Sequence, residues 1–217
     1  MVIDKKEALD QISQLVASCQ RCRLYQTANS PVPGTGNPEA LVFFVGEAPG
    51  FNEDQQGVPF CGRAGKLLDF FLELAFLNRK EVFIANMLRH RPPNNRDPLE
   101  EEMVACQPFL DRQIEIVSPR VIVTLGRFSL EKFLPGAQIS QVHGQPRFVQ
   151  FKGREKIVFP MYHPAASLRS GRIRVLEEED FKKLGQFLLK LTENQENKQK
   201  DSPKSNQNKT EKQMKLI

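Results

Sequence analysis

The sequence has no apolar run long enough to span a bilayer: its longest, around Leu41 to Val45, is only a few residues, against the roughly 20 that a membrane helix needs. Its N-terminus, Met1-Val2-Ile3-Asp4-Lys5-Lys6, has no charged head followed by an apolar stretch. No secretory signal is read there, so the expectation is a cytoplasmic protein. Cysteine is scarce, at four in 217 residues, and no internal repeat is apparent. Disulfides are not expected in a cytosolic chain of this size. Cys19-x-x-Cys22 with the distant Cys106 reads instead as metal ligation, and Cys61 as a small buried hydrophobe.

What is present is the composition of one ordinary globular domain, 40% hydrophobic and 26% charged. The net charge of +5 is compatible with nucleic acid without establishing it. From Thr192 onward the chain is polar, with six Lys against four acidic residues, so about +2 of the +5 lies there. Residues 1–191 are therefore expected to form the folded domain and 192–217 a disordered polar tail.

Asp4-Lys5-Lys6-Glu7 predicts a capped helix carrying Leu9, Ile12 and Val16. Leu41 to Val45, Val82 to Ala85, Val121 to Leu125 and Ile157 to Met161 are short apolar runs that suit strands buried on both faces. Between them, Lys66 to Leu77 has helical spacing. Asp97-Pro98-Leu99-Glu100 predicts a helix start with Asp97 as the cap, and that helix carries Cys106, Ile114 and Val117. The alternation predicts a three-layer α/β/α sandwich around a central, mainly parallel four-stranded sheet. Ligands of such sheets sit beyond the carboxyl ends of the strands. Those ends carry Gly46-Glu47-Ala48-Pro49-Gly50, Asn86, Gly126 and His163-Pro164, which marks that edge as the candidate site.

Several motifs there carry a resemblance. Gly46-Glu47-Ala48-Pro49-Gly50, Glu53-Asp54, Gly57-Val58-Pro59-Phe60 and Gly62-Arg63-Ala64-Gly65 together resemble the first motif of family 4 uracil-DNA glycosylases. Asn86, Arg91-Pro92-Pro93 and Asn95-Arg96 are similar to the second block, and Met161-Tyr162-His163-Pro164-Ala165 to the final histidine motif. The match runs from about Cys19 to Phe187, with the motifs in the family's order.

The resemblance implies a monomeric enzyme of base excision repair that hydrolyses the N-glycosidic bond of uracil in DNA and leaves an abasic site. The alternative is a metal-stabilised module that binds uracil or nucleic acid without turnover. A base must be flipped out of the stack to be read. On residue type alone Phe60 is a core side chain or an aromatic face for the base, and Asn86 a turn residue or an amide matching a carbonyl and the ring N–H of uracil. His163 is a structural histidine or a donor to the charge that develops on the departing base. The resemblance favours the second role in each case. It places Gly46 and Ala48 against the base, with Ala48 where the best-known uracil glycosylases have a water-handling aspartate. Glu47 is then the candidate for positioning base or water, with Glu53 and Asp54 as alternatives that would otherwise cap the following turn. The segment Ala165 to Arg174 is expected as a basic loop that enters the minor groove, Leu168 filling the gap and Arg169, Arg172 and Arg174 meeting phosphates.

Family 4 enzymes carry a [4Fe–4S] cluster on four cysteines. Cys19, Cys22 and Cys106 match three of them, but His90 stands where the fourth is expected, before Arg91-Pro92-Pro93. The expected ligand set is thus three cysteines and His90, with structural zinc or no metal as alternatives.

Overall fold

The computed structural model describes residues 4–200, except the side chains of 194–200. Helix α1 (Lys5–Ala17) starts where Asp4 accepts hydrogen bonds from the backbone N–H groups of Lys6 and Glu7. The remaining elements follow as β1 (Thr35–Gly36), β2 (Val42–Gly46), α2 (Phe51–Gln56), α3 (Arg63–Leu74), β3 (Phe83–Asn86), α4 (Glu100–Val117), β4 (Val121–Leu125), α5 (Arg127–Phe133), α6 (Ile139–Val142), β5 (Arg147–Phe151), β6 (Arg154–Met161), α7 (Pro164–Ser167) and α8 (Gly171–Lys200).

The six strands form one sheet in the order β1-β3-β2-β4-β6-β5. Its four central strands are parallel and fully buried at their cores, and they are the four apolar runs of the sequence. Two antiparallel edge strands, β1 and β5, extend the expected four-stranded sheet to six. Alternate residues of β2 point to opposite faces, as the period of two requires. Phe43 and Val45 join a core with Leu9 of α1, Leu110, Ile114 and Val117 of α4, and Phe133 of α5. Phe44 faces the other way and stacks on Phe181 of α8, which also stacks on Phe71 of α3. Helices therefore cover both faces, as the three-layer expectation required.

Several boundaries differ from the sequence reading, among them helix α3, which runs Arg63–Leu74 rather than Lys66 to Leu77. Helix α4 begins at Glu100 rather than at an Asp97 cap, because the Leu99 N–H is accepted by the Glu102 carboxylate while Asp97 pairs with Arg127. Helix α8 continues to Lys200, past the expected start of the polar tail at Thr192. Internal contacts divide the chain into a unit ending at Gly185 and one from Gln186 on, the described part of which is the end of α8. The rest of the expected tail lies outside the described residues. Among the described residues no helix is long and apolar enough to cross a membrane.

Candidate active site

The carboxyl ends of the parallel strands open into one cavity of about 570 Å³. Gly46 at the end of β2 is in register with Asn86 at the end of β3, and β6 delivers His163 two residues beyond Met161. Glu47, Ala48, Phe60, Asn86 and His163 all line the cavity. The sheet thus gathers residues spread over more than a hundred positions of sequence.

Phe60 forms a wall whose backbone is held in an unusual state. Its φ of 51° is left-handed, a conformation that costs a bulky residue free energy and persists only where the surroundings enforce it. The Glu53 carboxylate holds one side. One oxygen accepts from the N–H groups of Cys61 (3.0 Å) and Gly62 (2.9 Å), the other from Gly50 (3.1 Å). Arg79 holds the other side, donating to the carbonyls of Pro59 (2.5 Å) and Phe60 (2.9 Å) while pairing with Asp69. Gly65 allows the close approach, since a Cβ there would stand 1.7 Å from the Phe60 carbonyl oxygen. The ring, so fixed, stacks on His163 with centroids 5.4 Å apart.

Asn86 is 2% exposed, and its Oδ1 has no hydrogen-bond partner. An unsatisfied buried acceptor costs about 1–3 kcal/mol, so a native example calls for an explanation. Here the Asn86 side chain lines a cavity that a ligand can enter. Gly46 makes room for this arrangement: a Cβ there would lie 2.3 Å from Asn86 Oδ1 and 2.7 Å from the Phe60 ring.

His163 caps α7 by accepting the Ala165 N–H at Nδ1 (3.1 Å). With Nδ1 an acceptor, the proton of the neutral ring sits on Nε2, which becomes a donor. Burial lowers the pKa to about 4; Glu53 opposes this and Arg169 adds to it. The ring is therefore neutral at physiological pH, a hydrogen-bond donor without a charge.

The three acidic candidates separate by their partners. Both oxygens of Glu53 are engaged in bracing the Phe60 turn. Asp54 is buried and accepts from the backbone and side-chain N–H groups of Asn29 (2.9 and 2.6 Å) and from Ser30. The Glu47 carboxylate has no hydrogen-bond partner among the described residues. Its pKa is raised by burial and by Asp97, with Arg127 opposing.

The expected basic loop after His163 is instead two helices, α7 and α8, joined at Leu168 to Ser170. Proline at the first position of α7 and the His163 cap favour the helical turn. Leu168 projects at 42% exposure, Arg169 lines the cavity and Arg172 is exposed in the first turn of α8. Arg174 stacks over Phe70 and pairs with Glu178. Sequence reasoning did not single out Arg79, whose role depends on the fold of the Phe60 turn. It also missed the cavity residues Arg127 and Tyr162, although both directly follow positions already marked at strand ends.

Behind Ala48 lies the cysteine corner. Cys106 is buried with Leu24 and Leu88, and Cys22 and Ala48 pack against them. Burial pushes the Cys106 thiol up to about 11, opposed by the Arg89 backbone and guanidinium; Cys22, which interacts with Cys106, is also raised by burial. Arg89 is fully buried. It donates to the Asn86 carbonyl (3.0 Å) and to Gln113 (2.8 Å), yet its Nε has no partner. Burial lowers its pKa to about 10, and the charges that favour its protonated form are those of Cys106 and Cys19. A buried cation whose charged neighbours are the two thiols Cys106 and Cys19 is poorly compensated while they are neutral, and better compensated when they are thiolates. The donor set therefore fits a thiolate-bound group. His90 is 5% exposed, its pKa lowered by burial with Asp54 opposing. Among the described residues, no three His, Cys, Asp or Glu side chains converge as a single ion would need.

An unpartnered amide oxygen, an aromatic ring and a neutral imidazole gathered at a cavity on the sheet's carboxyl edge define an α/β protein with a ligand site of the kind such sheets carry there. Residues 33–188 match the model of the uracil DNA glycosylase superfamily, and the chain belongs to that superfamily. It is 47% identical over 189 residues to a type-4 uracil-DNA glycosylase of Sulfurisphaera tokodaii, covering 84% of this chain and 86% of the relative. Relatives of the same description from Saccharolobus solfataricus (46%; 83% of this chain, 86% of the relative) and Archaeoglobus fulgidus (45%; 83% and 94%) are similar to it over comparable spans.

Proposed function

We propose that this protein is a uracil-DNA glycosylase of base excision repair, which hydrolyses the bond between uracil and deoxyribose and leaves an abasic site. The observation that carries the reading is that Asn86 lines the cavity while its buried Oδ1 has no hydrogen-bond partner. An amide has both a donor and an acceptor, and uracil presents a carbonyl beside a ring N–H. A flipped uracil stacks on Phe60, donates its ring N–H to Asn86 Oδ1 and accepts from Asn86 Nδ2 at the neighbouring carbonyl, with Gly46 giving the clearance. As the C1′–N1 bond breaks, its electron pair leaves with the base and the sugar becomes oxocarbenium-like. His163 Nε2–H donates to the base oxygen on which that charge develops. Glu47, its carboxylate otherwise unpartnered, positions the water that attacks C1′. Leu168 fills the space vacated by the base, and Arg169 and Arg172 meet backbone phosphates.

Cys19, Cys22 and Cys106 with His90 would hold a [4Fe–4S] cluster, zinc being the alternative occupant. When bound, such a group supplies a structural cross-link and no redox step, tying the N-terminal segment to α4 behind the base pocket. An iron-to-protein ratio of about four, with broad visible absorbance lost in Cys106→Ala, supports the cluster; zinc in its place overturns it.

The activity is tested on a labelled oligonucleotide with one uracil. The wild type produces abasic sites, and His163→Ala is slower by about 10²–10³-fold, the usual effect of losing one such donor. Because the His163 pKa is near 4, this group contributes no inflection to kcat/KM between pH 6 and 8; its protonation shows only as the pH falls toward 4. Binding of the oligonucleotide without uracil release would contradict the enzyme reading and leave a uracil-binding module.

A further inference from the structure

Helix α2 opens with Phe51, a large aromatic residue 59% exposed to solvent. A single exposed hydrophobe needs no explanation, but this one combines two further features. Its chain neighbour Gly50 lines the cavity, while Phe51 itself is not among the lining residues. The Arg91 guanidinium lies over the ring, 5.2 Å from its centroid. Arg91 is not free to wander, because its Nε donates to Asn95 Oδ1 at 2.7 Å, and Asn95 itself lines the cavity. Asn94 and Asn95 are both left-handed, at φ of 54° and 53°, in a short turn led by prolines. Two separate wall segments, residues 50–51 and 91–95, thus join at the rim through one cation–aromatic contact.

We infer that Phe51 and Arg91 form a stacking subsite at the rim of the cavity, which takes the face of the nucleobase adjacent to the flipped uracil in single-stranded DNA. This rests on the uracil-excision reading for the identity of the pocket's occupant. An exposed ring beside a cation matches both parts of a nucleotide: the base has a π face for the ring, and its phosphate an anionic oxygen for the guanidinium. Stacking of this kind tolerates any base, because every base has such a face. The subsite gives affinity for the strand without sequence preference, and it uses a base that base pairing does not hold.

The experiment measures binding by fluorescence anisotropy with short single-stranded oligonucleotides containing one uncleavable 2′-fluoro-deoxyuridine. Three probes are compared: natural neighbours on both sides, a baseless tetrahydrofuran spacer on the 5′ side, and the same spacer on the 3′ side. The wild type is expected to bind one of the two spacer probes about tenfold more weakly than the natural probe. Phe51→Ala loses about the same factor on the natural probe and nothing further on that spacer probe, while Phe51→Trp retains wild-type affinity. Free uracil binds wild type and Phe51→Ala equally, since the pocket is intact. The inference is overturned if Phe51→Ala binds the natural probe as tightly as the wild type, or if its loss is equal on all three probes. Uracil release from the matching cleavable oligonucleotide is followed in parallel. Its absence in a wild type that still senses the spacer would overturn the glycosylase reading and leave the stacking subsite standing.

Discussion

Asn86 and Arg89 stand three residues apart at the end of one strand, yet they belong to environments of opposite kind. Around Asn86 the protein supplies its own bracing: Glu53 and Arg79 grip the Phe60 turn from both sides, Ala165 fixes the His163 tautomer, and only the Asn86 acceptor is left open. Around Arg89 the charges that favour its protonated form are those of the thiols Cys106 and Cys19. The cavity around Asn86 is braced by protein groups alone. The cysteine corner is electrically complete only if its thiols ionise, as they do when they bind metal. The two are joined through the Asn86 carbonyl, which accepts from Arg89, and through Ala48, which borders both.

The largest effect is expected at Arg89. Arg89→Met removes the buried cation and keeps the volume. If the thiols are metal-bound thiolates, the variant loses visible absorbance and about 3–5 kcal/mol of stability, a fall in Tm of roughly 10 °C. A variant as stable as the wild type or more so, measured by thermal unfolding, would mean that the corner holds neutral thiols.

Arg79→Lys sharpens the pocket side. A lysine places one ammonium where the guanidinium grips two carbonyls and Asp69 at once, so the Phe60 turn loosens. Steady-state kinetics should give a KM about tenfold higher with a smaller change in kcat, because base binding suffers more than the chemistry.

The smallest effect concerns Glu177, which is fully buried beneath α7 and hydrogen-bonded to Ser167, with one oxygen unpartnered. Burial raises its pKa to about 8, Asp180 adding to the rise and Ser167 opposing it. Between its unfolded value near 4.5 and 8, the folded state holds a proton that the unfolded chain gives up, so stability falls as pH rises through that window. Glu177→Gln should therefore raise Tm by a few degrees at pH 8.5 and leave it unchanged at pH 4.

The parallel centre of the sheet was legible because strands buried on both faces are continuous apolar runs that end in glycine or polar residues. The edge strands were not. β1 is two residues long and includes a glycine, and β5 alternates between half-buried and exposed residues. Glu47, Phe60, Asn86 and His163 stood at strand ends or in recognisable motifs, and the fold brings them to one cavity. The division of labour among the acidic residues could not be read from spacing. Glu53 becomes a brace only because Phe60 adopts a left-handed backbone, and Asp54 an anchor only because Asn29 folds back onto it. The Asp97 cap failed for a similar reason, since Arg127, thirty residues on, takes that carboxylate.

In the proposed function, Asn86 reads the ring N–H of uracil in a preorganised pocket. The direct test is single-turnover excision from two oligonucleotides that differ by one methyl group, one carrying uracil and the other N3-methyluracil. The account predicts that the wild type releases uracil at least a thousandfold faster than its methylated form, because the methyl group removes the donor that Asn86 Oδ1 awaits and clashes with it. Asn86→Ala should slow uracil release and erase most of that discrimination. Equal rates for the two bases in the wild type would contradict the account.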